Sequence, residues 1–277
     1  MSKSTLAVVA ATLLGVAGCL ASEEDPIGSP ADVVLVSDVN WEQLNPLRRD
    51  KSPKAGTLWG DRTGPGPAGF LLRPVDGFRS PPHIHDGAYR GVVIRGLLHN
   101  ADPNAEDMWM PTGSFWTQPA GHVHITAAQG DDCLAYIEVD DAFGVLPAEK
   151  AFDSGEKPVN VDVTNLVWID PPRQPVTPGG PQVAFVWGNP QDSAASGALV
   201  RFPAGTSGTI RSKGASLRAV VIDGSLDLHG SGPEAKQTLD PGSLFSSKGD
   251  AVHKVSAGSA KATLLYLRVE GTFDVED

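Results

Sequence analysis

The sequence has very little cysteine, few aromatic residues and no cluster of basic residues. Its two cysteines, Cys19 and Cys133, exclude a fold held by several disulfides and a zinc site built from cysteine pairs. The formal net charge of −11, without a basic cluster, argues against binding to nucleic acid or to anionic lipid headgroups. A phosphate-cradling glycine loop and a Ser/His/Asp relay are not recognisable either. No nucleic-acid partner is therefore expected.

Sustained helical periodicity is also missing. The 31 glycines and 23 prolines interrupt the chain often, and the apolar residues between them form short runs rather than helical stripes. A chain of 277 residues with 40% hydrophobic content can bury one large or two small cores. The predicted fold class is all-β.

Only one long apolar run is present, at residues 6–18, where it follows Lys3. This run is too short to cross a bilayer as a permanent helix, so residues 1–18 are predicted to be a signal peptide. Residues 16–19 resemble the bacterial lipobox, which implies that Cys19 is diacylated and becomes the first mature residue; an ordinary signal peptide is the alternative. Residues 19–32 are small, acidic and proline-containing, as expected of a flexible tether.

The lipobox resemblance implies export across the inner membrane and anchoring by lipid, with contact to the membrane only through the acyl chains. Because Leu20 replaces the aspartate associated with retention in the inner membrane, the outer membrane is favoured. Once Cys19 is acylated, Cys133 is the single remaining thiol. It lies in an apolar run and is interpreted as a buried hydrophobic residue rather than a nucleophile.

The rest of the chain is an internal duplication. Residues of the first half recur 128 to 130 positions later, as the pairs Trp59 and Trp187, Gly69 and Gly197, Arg90 and Arg218, and Tyr136 and Tyr266 show. Runs at 92–94 and 220–222 are apolar on both faces, which predicts strands that are covered on both sides. We expect two β-barrels packed together, at residues 33–146 and 163–277, with a linker at 147–162.

Three histidines of the first copy have a spacing that favours a shared site. His83 and His85 are one residue apart, so on an extended strand they point to the same side. His124 follows a Pro-x-Gly turn at residues 119–121 and can return beside them on a neighbouring strand. Three imidazoles on one face form a metal site, with structural or vestigial histidines as the alternative.

These residues resemble the two sequence motifs of the cupin superfamily, Gly-x5-His-x-His-x3,4-Glu-x6-Gly and Gly-x5-Pro-x-Gly-x2-His, at residues 77–96 and 113–124. Tyr89 stands where the motif has its glutamate. The resemblance implies a bicupin, two tandem double-stranded β-helix barrels of the jelly-roll type. It also implies one divalent metal ion per chain, held by His83, His85 and His124. The three-histidine set is similar to that of acetylacetone dioxygenase and the ChrR-type cupins, and to a bacterial bicupin family without an assigned function.

Imidazole ligands suit several metals and do not identify the ion. Fe(II) or Zn(II) is expected, with Ni(II) or Mn(II) as alternatives. Three neutral ligands leave the charge of the ion uncompensated, which favours an anionic chelating substrate, and they leave coordination positions open, as a catalytic site requires.

The first functional hypothesis is therefore an iron-dependent dioxygenase of a small, oxygen-rich organic molecule. The alternatives are a non-enzymatic, zinc-stabilised lipoprotein that binds or senses a small molecule, and a purely structural surface protein. The expected partner is a small-molecule substrate or ligand, and a homodimer is left open.

Four further residues complete the predicted site. Tyr89 is expected to point inward, either as a wall residue bonded across the barrel or in contact with substrate or with a water beside the metal. His122 is assigned to the rim of the site, with direct metal binding as the alternative. Trp116 and Gln118 precede the turn and are predicted to line a substrate pocket, with the core or the surface as the alternatives.

The second copy has lost most of these residues. Arg211, Lys213 and Leu217 occupy the positions of His83, His85 and Tyr89, and only His253 is kept, at the position of His124. A permanent cation has no lone pair to donate and repels a metal ion, so the second barrel is predicted not to bind the metal. Arg211 and Lys213 either lie on a solvated strand or line a pocket for an anionic ligand.

Overall fold

The computed structural model describes residues 29–171, 178–192, 194–230 and 235–277. The predicted signal peptide, the lipidation residue Cys19 and the tether up to residue 28 lie outside the described residues. Within the described part of the chain, no helix has the length and apolar character needed to cross a membrane.

Strands and short 3-10 turns form the regular structure of the described residues, and the predicted all-β class is confirmed. The 3-10 turns are Val36–Asp38, Pro46–Lys51, Ala148–Lys150 and Val163–Asn165. The strands are β1 (Asp32–Val34), β2 (Glu42–Gln43), β3 (Lys54–Trp59), β4 (Ala68–Arg73), β5 (His83–His85), β6 (Tyr89–Ala101), β7 (Phe115–Gln118), β8 (Ile125–Val139), β9 (Val145–Pro147), β10 (Val159–Val161), β11 (Gln182–Trp187), β12 (Ala195–Phe202), β13 (Ser207–Asp223), β14 (Leu226–His229), β15 (Lys236–Leu239), β16 (Leu244–Lys248), β17 (Ala251–Ala257) and β18 (Thr263–Glu276).

The strands form two antiparallel jelly-roll barrels in tandem. The N-terminal barrel contains a sheet of order β10-β7-β6-β8-β4-β3-β2 and the strand pair β5-β9. The C-terminal barrel contains a sheet of order β11-β12-β18-β13-β17-β14-β15, with β16 pairing to β13 and β1. Backbone pairing among the described residues does not close either sheet into a complete ring.

Three hydrophobic clusters explain why the longest strands are apolar on both faces. One cluster fills each barrel, and a third lies between the barrels and takes residues from both copies. Val93 and Val221 point into their own barrel cores, whereas Val92 and Val220 point into the shared cluster. Because successive side chains of a strand alternate between faces, both faces of these strands are buried.

Each barrel is completed by a strand from the other copy. Strand β1 pairs with β16 of the C-terminal barrel, and β10 pairs with β7 of the N-terminal barrel. The backbone N–H groups of Val36 and Val163, just after these strands, donate to the hydroxyls of Ser243 and Ser114 at 3.0 and 3.1 Å. This exchange covers strand edges that would otherwise be unpaired.

The repeated residues found in the sequence form the interface between the copies. The indole N–H of Trp59 donates to Tyr136 at 2.9 Å, and the equivalent indole in the second copy donates to its own tyrosine, Tyr266, at 2.7 Å. The guanidinium of Arg218 lies 4.2 Å from the ring centroid of Trp59, and that of Arg90 lies 3.8 Å from the ring centroid of Trp187. Each arginine thus stacks on the tryptophan of the other copy.

Glycines at equivalent positions let these tryptophans lie flat on the sheet. A Cβ atom on Gly69 would lie 2.0 Å from the Trp59 ring, and one on Gly197 would lie 1.8 Å from the Trp187 ring. Such separations are far below van der Waals contact, so no side chain fits there. The duplicated glycines are therefore explained by packing.

A buried ion pair lies where the two copies meet. Arg268 is bonded to Glu138 at 3.2 Å, and their side chains are only 5% and 1% exposed. Glu138 is two residues after Tyr136 and Arg268 is two residues after Tyr266, so the partners occupy equivalent positions of the two copies. Identical residues at these positions would bring like charges together without solvent.

Arg268→Ala is expected to lower the free energy of unfolding by about 3 kcal/mol or more, because it leaves the Glu138 carboxylate buried without its main partner. The measurement is urea unfolding of the full chain followed by tryptophan fluorescence. As a matched control, Arg95→Ala removes an exposed ion pair with Asp132 and should change stability by less than about 1 kcal/mol. Equal effects of the two substitutions would contradict the assigned role of the interface pair.

Candidate metal centre

The three predicted histidines are brought to one place by backbone pairing. Strand β5 carries His83 and His85, and it lies between β9 on one side and the residue preceding β8 on the other. His83 and His124 face each other in an antiparallel pair, with N–H to carbonyl distances of 3.1 and 3.0 Å in the two directions. Two positions along one strand and one position across from it therefore share a face.

The Pro-x-Gly turn returns the chain so that His124 can reach β5. Gly121 has φ of +74°, a conformation that glycine adopts without steric cost. Its N–H donates to the carbonyl of His85 at 2.8 Å, and its own carbonyl accepts from Phe152 N–H at 3.2 Å. A Cβ atom at this position would lie 2.5 Å from the Phe152 carbonyl oxygen. The turn is therefore bonded to β5 and to the segment around Phe152 that follows the barrel.

The imidazoles form a compact cluster. One ring nitrogen from each of His83, His85 and His124 lies within 4.8 Å of the other two. His85 and His124 are 4% and 0% exposed, and His83 is partly exposed. The cluster is thus open to solvent on the side of His83 only.

Each histidine is fixed in one tautomer by a backbone carbonyl. The Nδ1 atoms of His83, His85 and His124 lie 2.9, 3.0 and 3.1 Å from the carbonyl oxygens of Pro81, Gly144 and His122. A carbonyl only accepts, so Nδ1 carries the proton in each ring and Nε2 keeps its lone pair. This arrangement is the one that metal-binding histidines require.

The surroundings favour the neutral form of these rings. Burial lowers the pKa of His124 from 6.5 to about 3 and holds the pKa of His85 well below its ordinary value. Burial also lowers the pKa of His83, and the nearby Arg48 guanidinium contributes to this shift. In the described part of the chain, no ion pair joins a carboxylate to any of the three. Neutral imidazole is the form that binds a metal ion.

Two neighbours hold His85 in place. The ring of Phe143 stacks on the His85 ring with a centroid distance of 4.0 Å and an interplanar angle of 12°. The Asp86 carboxylate accepts from the N–H of Gly144 at 2.7 Å, and the carbonyl of Gly144 accepts from His85. The imidazole is therefore fixed in both plane and direction.

The other predicted site residues are distributed around the cluster. Tyr89 is buried, and its hydroxyl lies 3.2 Å from Nε2 of His124 and donates to Asn100 Oδ1 at 2.8 Å. Gln118 is fully buried and bonds to Asn100 and to the His122 carbonyl. Trp116 is buried in the barrel core, with its indole nitrogen outside hydrogen-bond geometry. The His122 ring lies outside the three-histidine cluster. Substrate contact by Trp116 and Gln118 stays a prediction.

Sequence reasoning missed Asn100, Phe143 and Arg48. Asn100 is a buried polar residue near the end of the apolar strand β6, and such a residue needs several hydrogen-bond partners, which was the available signal. Phe143 recurs in the second copy as Phe273, again without a local sign of its contact with histidine. The guanidinium of Arg48 lies 5.9 Å from the Phe78 ring centroid, a placement that depends on folding alone.

The equivalent positions of the second barrel differ. Arg211 forms an ion pair with Glu276 at 3.1 Å, and the side chain of Lys213 is exposed. Leu217 lies in the barrel core, and His253 is buried with Nε2 2.9 Å from the Ser247 hydroxyl. Arg211 is therefore held in an ion pair and Lys213 lies at the surface. The retained His253 has a hydrogen-bond partner of its own.

Comparison with known protein families gives one match. Residues 32–276 match the family described as "Domain of unknown function (DUF4437)". No curated protein matches the sequence.

Solved structures with the same fold have different activities. A candidate dioxygenase from Nostoc punctiforme superposes with a TM-score of 0.62 and 13% identity, covering 90% of this chain and 85% of its own. Oxalate decarboxylase of Lactobacillus farciminis superposes with a TM-score of 0.59 and 12% identity, covering 90% of this chain and 89% of its own. The 7S globulin of Momordica charantia superposes with a TM-score of 0.56 and 10% identity, covering 88% of this chain and 85% of its own. At these identities the likeness shows the cupin-type fold and not the function.

The metal-free protein is expected to lose stability as the pH falls from about 6.5 towards about 3. In this window the unfolded chain takes up a proton on His124 that the folded chain does not, whereas above it both states are neutral. The measurement is the urea midpoint of chelator-treated protein from pH 7.5 downwards. His124→Gln should make the decline shallower; an unchanged decline would contradict the inferred burial of a neutral ring.

Proposed function

Since the chain belongs to the family described as domain of unknown function DUF4437, and its fold is of the cupin type, we propose that it is a mononuclear metalloprotein with dioxygenase-type activity. The N-terminal barrel is the functional one. The substrate is proposed to be a small, oxygen-rich organic anion that can chelate the ion, as in acetylacetone dioxygenase.

One observation carries this proposal. Three buried or half-buried imidazoles converge, and the proton of each is held on Nδ1 by a carbonyl, so three Nε2 lone pairs face one another. Three electron-rich nitrogens within 4.8 Å of one another repel unless a cation or a proton lies between them. The low pKa of His124 opposes a proton, so a divalent cation is the fitting partner.

The charge of the site supports the substrate class. His83, His85 and His124 are neutral ligands, and Tyr89 adds no carboxylate where the cupin motif has glutamate. Arg48 adds a positive charge near the exposed side of His83, and none of the ion pairs in the described ranges involves it. A divalent ion held here keeps its full charge, which attracts an anion such as an enolate or a hydroxy acid.

When bound, an ion with open coordination positions supplies Lewis-acid and redox chemistry. The residues of the chain bind and orient it and limit access of water. Phe143 closes the side behind His85, and the buried turn at Gly121 closes the side of His124. Substrate is expected to enter past His83, the partly exposed member of the cluster.

A second candidate is a non-enzymatic protein in which zinc stabilises the fold or holds a ligand. The burial of His85 and His124 favours this reading, because structural metal sites are closed to solvent. Tightly bound zinc without an exchangeable coordination position, tested by cobalt substitution, would support this candidate over the enzyme.

The double substitution of His83 and His124 by alanine is expected to abolish metal binding, whereas the wild type retains about one equivalent per chain. The measurement is elemental analysis of protein purified from its own host, followed by dioxygen uptake with β-dicarbonyl and hydroxy-acid substrates. The variant should show no uptake above background.

His253→Ala is the matched control, since it removes the equivalent histidine of the second barrel and should leave the metal content unchanged. Iron-loaded wild type that consumes no dioxygen with any of these substrates would count against the dioxygenase, and wild type without metal would overturn the metalloprotein itself.

We further propose that the mature chain is a lipoprotein anchored through Cys19, in the outer membrane. Cys19→Ser should move the protein from the membrane fraction to the soluble fraction of a bacterial host, because the acyl chains provide the only attachment. Intact-mass measurement of the wild type should show a diacylated N-terminus. Cys133→Ser, which removes the buried thiol, is the control and should stay in the membrane fraction.

A further inference from the structure

Tyr89 has an unusual relation to the three-histidine cluster. It is the first residue of β6, at the position of the motif's glutamate, and it is almost fully buried. Its hydroxyl oxygen lies 3.2 Å from Nε2 of His124, the ring nitrogen left without a proton. The ring also packs edge-on against His85 at a centroid distance of 5.1 Å. The hydroxyl is therefore beside His124, and the phenol ring is beside His85.

The hydrogen bonds around Tyr89 have fixed directions. The His122 carbonyl only accepts, so both Gln118 Nε2, at 3.0 Å, and His124 Nδ1, at 3.1 Å, donate to it. Gln118 then presents its oxygen to the amide nitrogen of Asn100, at 2.9 Å. Asn100 in turn presents its oxygen to the Tyr89 hydroxyl, at 2.8 Å. The Asn100 oxygen that faces Tyr89 is therefore an acceptor, and the Tyr89 hydroxyl donates to it.

This relay determines where the tyrosine proton lies. A hydroxyl has one proton, and the shorter of its two contacts, to Asn100 Oδ1, takes it; the same amide oxygen also accepts from the Thr126 hydroxyl at 2.9 Å. The Tyr89 oxygen then presents a lone pair to Nε2 of His124. This nitrogen is also an acceptor, because the proton of the His124 ring is on Nδ1. Two acceptors 3.2 Å apart repel each other, and a cation next to both removes the repulsion.

We propose that Tyr89 is the fourth protein ligand of the ion, through its neutral hydroxyl oxygen, and that Asn100 is a positioning residue that holds its proton away from the metal. This inference rests on the proposed metal site and deepens it. A neutral oxygen in place of a carboxylate keeps the charge of the ion uncompensated, so the replacement of glutamate by tyrosine selects for anionic substrates without loss of the fourth ligand.

The experiment uses the full chain, stripped of metal and titrated with Co(II) in the presence of a competing chelator. Tyr89→Phe is expected to weaken Co(II) binding about tenfold or more and to change the visible absorption that reports the coordination sphere. Tyr89→Glu, which restores the carboxylate of the motif, is expected to bind at least as tightly as wild type. Tyr266→Phe removes a buried hydroxyl in the second barrel and should change neither measurement.

Asn100→Ala tests the positioning role. It should weaken Co(II) binding while Tyr89 is present, and it should add little to the effect of Tyr89→Phe, because both act through the same oxygen. Fully additive effects would overturn the role of Asn100.

A second measurement does not depend on the variants. In a crystal structure of the cobalt-loaded wild type, the Tyr89 oxygen should lie about 2.2 Å or less from the ion. A separation beyond about 3 Å, or a Tyr89→Phe variant with wild-type affinity and spectrum, overturns the inference and leaves the metal site standing. Wild type that binds no cobalt overturns the proposed metal site itself.

Discussion

Contact between equivalent positions of two duplicated copies constrains this molecule more than any other interaction. Near a pseudo-twofold axis, each residue meets its own counterpart, so a charged residue there needs an opposite charge in the other copy. Glu138 and Arg268 meet this condition in a region almost without solvent. Tryptophan and arginine can repeat unchanged because each arginine stacks on the tryptophan of the other copy. The copies are consequently no longer interchangeable, although they keep one fold.

The same connection that joins the copies also forms one wall of the three-histidine cluster of the first barrel. After β8 the chain passes Phe143, which stacks on His85, and then forms β9 along the ligand strand. Further on, β10 pairs with β7, and the side chain of Asn160 donates to the Asn100 carbonyl at 2.8 Å. The segment that covers the cluster is thus held by the barrel and by the exchange between copies. Loss of the pairing between β10 and β7 would therefore leave the residues around the histidine cluster less firmly held.

The two barrels have divided the properties of one ancestral repeat. The first keeps three histidines whose Nε2 atoms converge, together with the buried amides that order them. In the second, Leu217 at the position of Tyr89 lies in the apolar core, and the retained His253 bonds to Ser247. Binding a cation needs side chains with free lone pairs. At the positions of His83, His85 and Tyr89, the second copy has arginine, lysine and leucine, which have none to donate. The second copy also takes part in the strand exchange and in the shared hydrophobic cluster.

The sequence alone determined the all-β class, the duplication and the convergence of three histidines, because strand alternation and a glycine turn act over a few residues and leave a regular spacing. It also indicated that Tyr89 replaces a carboxylate. Only the tertiary structure decided that the strands are exchanged between barrels, that Asn100 and Gln118 orient the tyrosine, and that backbone carbonyls select the histidine tautomers. These features depend on hydrogen-bond directions between residues far apart in the chain, and direction follows from three-dimensional placement rather than from spacing along the sequence.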